Sequence, residues 1–189
     1  MGTLVKREIK KRLKDKLSDY IIKWWLKKRY VPQGVVDRLD SIFTAISQCL
    51  RSDYTPSFIY MLYEAIQKSD IKDRQKRLEL DRIHQFSSEL SDLNKRLKQL
   101  YKSRKRREFE FFLKEFLKLL EQANVLVKLL PEYVKDPSII LDTYNTTREI
   151  YNHLIISLYG FLNTTACLHS EYVSDYDLRE KFLIPPLKH

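Results

Sequence analysis

The stretch from Ile83 to Leu130, IHQFSSELSDLNKRLKQLYKSRKRREFEFFLKEFLKLLEQANVLVKLL, decides the fold class. Ile83, Phe86, Leu90, Leu93, Leu97 and Leu100 follow a three-four-three-four-three spacing, the heptad pattern of a helix with one apolar seam. The pattern lapses across Tyr101–Glu108. It resumes out of phase at Phe109, Phe112, Phe116, Leu120, Ala123, Val127 and Leu130, which predicts a bend, loop or exposed bridge near Ser103. Neither Gly nor Pro occurs between Ile71 and Leu130, so only this phase slip divides the segment into two long helices.

Working outward, the same 3.6-residue period recurs and no sustained alternation is seen. A helix over about 4–30 aligns Ile9, Leu13, Leu17, Tyr20 and Trp24, and Pro32 and Gly34 end it. A second, about 35–51, carries Val35, Leu39, Ile42, Phe43, Ile46 and Leu50. Thr55-Pro56 then reads as an N-cap followed by proline in the first turn, with Phe58, Ile59, Leu62, Ala65 and Ile66 inward. Ser69 or Asp70 is expected to cap the next helix. Pro131 stops the long segment, and Asp136-Pro137 opens a helix over about 137–170 that packs Leu141, Tyr144, Tyr151, Leu154, Ile155, Leu158, Phe161 and Leu162. A short final helix is expected to open at Ser174-x-x-Asp177 and to close before Pro185-Pro186.

The expected fold is therefore all-α: an antiparallel helical bundle of about five to six helices with a long heptad-bearing helical hairpin. One domain spans 1–189, with residues 1–19 a projecting basic helical arm and 173–189 a short C-terminal appendage. Phe109, Phe111, Phe112 and Phe116 are expected as interior packing.

Charge is the most informative feature beyond the fold. The 189 residues hold 35 Lys and Arg against 25 Asp and Glu, a formal charge of +10. Residues 1–30 carry eleven basic and three acidic side chains, and residues 95–107 (KRLKQLYKSRKRR) carry eight basic and none acidic. Two short islands thus hold +16, while the rest of the chain is net negative. Lys102, Arg104, Arg106, Arg107 and Lys105 cluster where the apolar pattern lapses, so several of them must face water. Like charges this dense repel one another, and a phosphate backbone neutralises them with release of its own counterions. Lys6, Arg7, Lys10, Lys11 and Lys14 form a second patch, while YIIKWWL (20–26) is apolar almost all round and is expected to be buried in the bundle or against a partner. Tyr101, Trp24 and Trp25 beside the cations would offer stacking platforms to unpaired bases.

Several chemistries are excluded or unsupported. With three glycines in the whole chain, neither GxGxxG nor GxxxxGK[ST] can be written, so the common nucleotide-binding turns are absent. The four histidines are scattered and no metal-ligand spacing occurs, so neither a metal nor another cofactor is expected. Cys49 and Cys167 read as buried small hydrophobes in a reducing, cytoplasmic compartment. The basic start lacks the apolar core of a secretion signal, and the longest apolar stretch, Leu154–Leu162, is too short to span a bilayer.

Arg148-Glu-Ile-Tyr-Asn-His153 resembles the R-x4-6-H motif of the HEPN superfamily, all-α ribonucleases whose motif lies in a late helix and pairs across a dimer. The resemblance implies phosphate-charge stabilisation by Arg148 and proton transfer by His153. It covers six residues, Arg77-x6-His84 fits the same pattern, and Glu149 stands where the family has a small polar residue.

The expectation is a non-enzymatic protein that contacts RNA or DNA through backbone phosphates, independent of sequence, rather than one that lies on a membrane surface. The competing reading is a structural or adaptor protein that forms oligomers or part of a larger assembly through helix contacts along Ile83, Phe86, Leu90, Leu93, Leu97 and Leu100. A HEPN-like ribonuclease is the third.

Overall fold

A computed structural model describes residues 15–20, 28–51, 58–133, 137–174 and 181–187. Its helices, in chain order, are α1 (Gln33–Arg51), α2 (Phe58–Lys68), α3 (Asp73–Ser103), α4 (Arg106–Lys128), α5 (Leu130–Tyr133), α6 (Pro137–Thr164) and α7 (Glu171–Ser174), with a 3-10 turn at Ala166–Leu168 before α7. Residues 15–20 are also helical. No strand occurs among the described residues, and the chain is an all-α bundle.

The phase slip in the sequence marks a real break. α3 ends at Ser103, Arg104 takes a left-handed conformation with φ 51°, Lys105 is extended, and α4 starts at Arg106. With only two residues between them, α3 and α4 fold back as a hairpin. The heptad residues Ile83, Phe86, Leu90, Leu93, Leu97 and Leu100 are all buried against the rest of the same chain. This seam is consumed inside the monomer and is not exposed for the partner contacts expected of it.

Aromatic rings key the layers together. Phe43 on α1 meets Phe112 and Phe116 on α4 edge-on, with centroids 5.4 and 5.1 Å apart. Phe58 on α2 meets Tyr144 and Tyr151 on α6 at 5.2 and 6.0 Å, and Phe109 meets Phe161 at 6.3 Å. These T-shaped pairs suit the ring quadrupole and lock the helices in register.

Details of the element ends differ from the expectation. Gly34 lies inside α1 rather than ending the preceding helix, because Val35 and Val36 N–H both donate to the Pro32 carbonyl and start the helix earlier. Neither Ser69 nor Asp70 caps α3: the cap residue is Lys72, without a side-chain cap bond, and the Ser69 hydroxyl donates back to the Ile66 carbonyl at 2.6 Å. Pro131 sits within the short α5, and α6 ends at Thr164, short of the expected 170. Thr55-Pro56, Asp136 and Asp177 lie outside the described residues. Tyr20, expected to be buried with the rest of YIIKWWL, is 71 % exposed, and residues 15–20 are exposed throughout, Leu17 at 58 %.

The described residues of the stretch expected as a C-terminal appendage pack into the bundle. Val173, Phe182 and Ile184 are buried in the main core. Phe182 and Ile184 belong to a strap, residues 182–187, that runs across α4 and α6. Asn124 donates to the Phe182 carbonyl at 3.1 Å, and Tyr144 to that of Pro185 at 3.2 Å. Asn152 both donates to the Ile184 carbonyl at 3.0 Å and accepts from its N–H at 2.9 Å.

Candidate nucleic-acid interface

The hairpin turn gathers the central basic island at one end of the bundle. Three features fix its shape. The N–H of Arg104 bonds the Leu100 carbonyl at 2.7 Å and closes the end of α3. The Arg104 carbonyl accepts from the N–H of Val31 at 2.7 Å, and Tyr30 and Lys105 form an isolated antiparallel bridge. The Tyr101 hydroxyl donates to Asp37, whose carboxyl is thereby held below the usual carboxylate range, with help from Gln33. The apex is therefore tied to the start of α1 by backbone and side chain alike.

These ties add two residues that the sequence did not single out. Lys28 and Arg29 are exposed and lie next to the bridge, beside Lys102, Arg104, Lys105 and Arg107, which are exposed as well. No sequence signal finds this proximity, since it comes from a pairing between distant positions. Among the described residues, Lys102, Arg104 and Arg107 have no carboxylate within ion-pair reach. Lys105 lies 3.8 Å from Glu108, which also accepts from the Ser103 hydroxyl. An exposed pair at that distance leaves most of the lysine's field open to solvent.

Arg106 departs from its four neighbours. It is half-buried, and its Nε donates to the Leu168 carbonyl at 3.0 Å, fastening α4 to the 3-10 turn. Nearby, burial works against ionisation of Glu110, but hydrogen bonds from Ser170 and Lys114 outweigh it and hold the carboxyl below its usual value.

Phe111 is the second departure. Phe109, Phe112 and Phe116 are interior, as expected, whereas Phe111 is 47 % exposed. Helical phase carries the signal: the buried positions run 109, 112, 116, and residue 111 is roughly 130° off that line. The Arg96 guanidinium lies over the Phe111 ring, 5.1 Å from its centroid. Arg96, Gln99, Arg107, Glu108, Phe111 and Phe112 line a cleft of about 180 Å³ between the hairpin helices.

Lys6, Arg7, Lys10, Lys11, Lys14, Trp24 and Trp25 lie outside the described residues. Arg148 and His153 are on α6 but roughly 140° apart around it, as a five-residue separation requires. Arg148 Nη1 faces the Ile184 carbonyl at 3.4 Å, half-buried under the strap, and His153 is exposed on another side. Within one chain the two are not brought together. Both cysteines are free; burial pushes the Cys49 thiol up to about 11, but Cys167 is exposed, against the expectation of a buried residue. Among the described residues no group of His, Cys, Asp and Glu could hold a metal, and no helix is long and apolar enough to cross a membrane.

The chain matches no family model, no curated protein and no solved structure. Its functional reading therefore rests on the geometry of the apex.

Proposed function

We propose that this chain is a non-enzymatic nucleic-acid-binding protein that contacts the phosphate backbone through the basic apex of its α3–α4 hairpin. The observation that carries the reading is the exposure of Lys102, Arg104, Lys105 and Arg107 at one end of the bundle, with Lys28 and Arg29 beside them. Concentrating these cations, of which Lys102, Arg104 and Arg107 have no carboxylate within ion-pair reach among the described residues, costs repulsion, and a polyanion relieves it while releasing its counterions. Arg106 is withdrawn from the contact set because its guanidinium serves the Leu168 carbonyl. Sequence-independent binding follows from the chemistry, since phosphates position a protein but carry no base identity.

The test is the salt dependence of affinity for labelled duplex. With about six phosphates neutralised, the slope of log affinity against log salt is expected near −5, and Arg107→Glu should weaken binding at every sequence alike. A slope near zero overturns the proposal.

A further inference from the structure

We infer that the cleft beside Phe111 takes one unpaired base, so that the apex prefers single-stranded nucleic acid to duplex. This rests on the phosphate-binding reading and adds a base contact to it. A phenylalanine placed off the buried phase of its helix, 47 % exposed, presents an aromatic surface next to the cationic apex. Arg96 already lies over the ring at 5.1 Å, so a flat guanidinium and a flat ring are assembled before any ligand arrives. A base stacks on Phe111 and the Arg96 guanidinium moves to its outer face. Arginine and aromatic rings are the two side-chain surfaces on which bases stack irrespective of identity.

The dimensions and lining agree. At about 180 Å³ the cleft is smaller than the pockets that enclose drug-sized ligands, and it suits a single ring system. Gln99 and Glu108 supply polar atoms for a base edge, and Arg107, on the same wall, is one of the phosphate contacts proposed above. A strand that lays its backbone along Arg104 and Arg107 thus has a base within reach of Phe111. Bases in a duplex are already stacked on one another and cannot use the ring without being extruded. Tyr101, 44 % exposed and tied to Asp37 through its hydroxyl, has no guanidinium over its ring among the described residues, which is what sets Phe111 apart.

The experiment titrates the full chain against three labelled probes with equal numbers of phosphates: an oligothymidine strand, the same strand with abasic sites, and a duplex. The wild type should bind oligothymidine about tenfold more tightly than the abasic strand, and Phe111→Ala should remove that advantage while leaving the other two affinities and the salt slope unchanged. Phe111→Trp should restore it. Equal affinity for base-bearing and abasic strands, or a Phe111→Ala effect that is absent or equal for all three probes, overturns the base site and leaves the phosphate reading standing. Failure of every probe to bind in a salt-dependent manner overturns both.

Discussion

Arg104 holds a conformation, φ 51°, that usually falls to glycine, because a Cβ crowds the neighbouring carbonyl there. In left-handed geometry the cost for a non-glycine residue is roughly 1–2 kcal/mol, so the turn is held against strain by the bonds to Leu100 and Val31. On the proposed function, the charge of Arg104 contacts phosphate and gives a non-glycine residue a reason to stand at this strained position. Arg104→Gly is therefore expected to leave the protein as stable or up to about 1 kcal/mol more stable, since relief of strain is partly offset by glycine's backbone entropy. Phosphate affinity should fall, with the salt slope shallower by about 1. Urea denaturation and a salt titration on the same variant check the two effects. Arg106 should behave in the opposite way. Arg106→Ala strips the Leu168 carbonyl of its charged donor and is expected to cost about 1.5–3 kcal/mol, while Arg107→Ala, exposed and without an ion pair among the described residues, should move stability by less than about 0.5 kcal/mol. A run of five cations and one serine shows that a basic island exists. It does not show which member turns inward, because that depends on a carbonyl some sixty residues away.

At the scale of the elements, the heptad of α3 and its phase slip into α4 were readable because both follow from where apolar side chains must point. A seam of that kind serves equally for a second chain or for the chain's own core. Here α1, α2 and α4 cover it. Leu97→Ala is thus expected to cost about 2–5 kcal/mol, the range for leucines buried this completely. Leu93→Lys places an ammonium where only 5 % of the residue is exposed, and should lose cooperative unfolding instead of merely dissociating an oligomer. Circular-dichroism melts at two protein concentrations separate the outcomes: a variant that stays folded and shifts only in its concentration dependence would return the seam to an interface. Element ends were less legible than element faces. Capping was read from Ser69 and Asp70, yet Ser69 turns its hydroxyl back to Ile66 and leaves Lys72 at the cap, a local competition that composition does not resolve. Phe111 lies between: its phase was visible, but its aromatic character argued for the interior.

Across the whole molecule, the strap of residues 182–187 decides how the late sequence is to be understood. Pro185-Pro186 and a short apolar tract read as an end piece because proline stops helices. Docking an extended segment needs partners for its backbone, and these come from side chains spread over α4 and α6 that no local pattern connects. Asn124, Tyr144, Arg148 and Asn152 supply them. Arg148, whose neighbourhood resembles a ribonuclease motif, is thereby engaged in holding the strap. Asn152 is the most informative test, because its amide replaces both halves of a β-pairing at one residue. Asn152→Ala would leave the Ile184 N–H without its acceptor and the carbonyl with only the longer Arg148 contact, next to an Ile184 side chain 2 % exposed. One orphaned buried group costs about 1–3 kcal/mol, so urea denaturation should show a loss of about that size. Hydrogen exchange should locate it, with faster exchange at Ile184 and Leu183 before any change at Leu97. If the loss is smaller than about 0.5 kcal/mol and Ile184 exchanges no faster, the strap is carried by Phe182 and Ile184 packing alone, and the polar clamp is incidental.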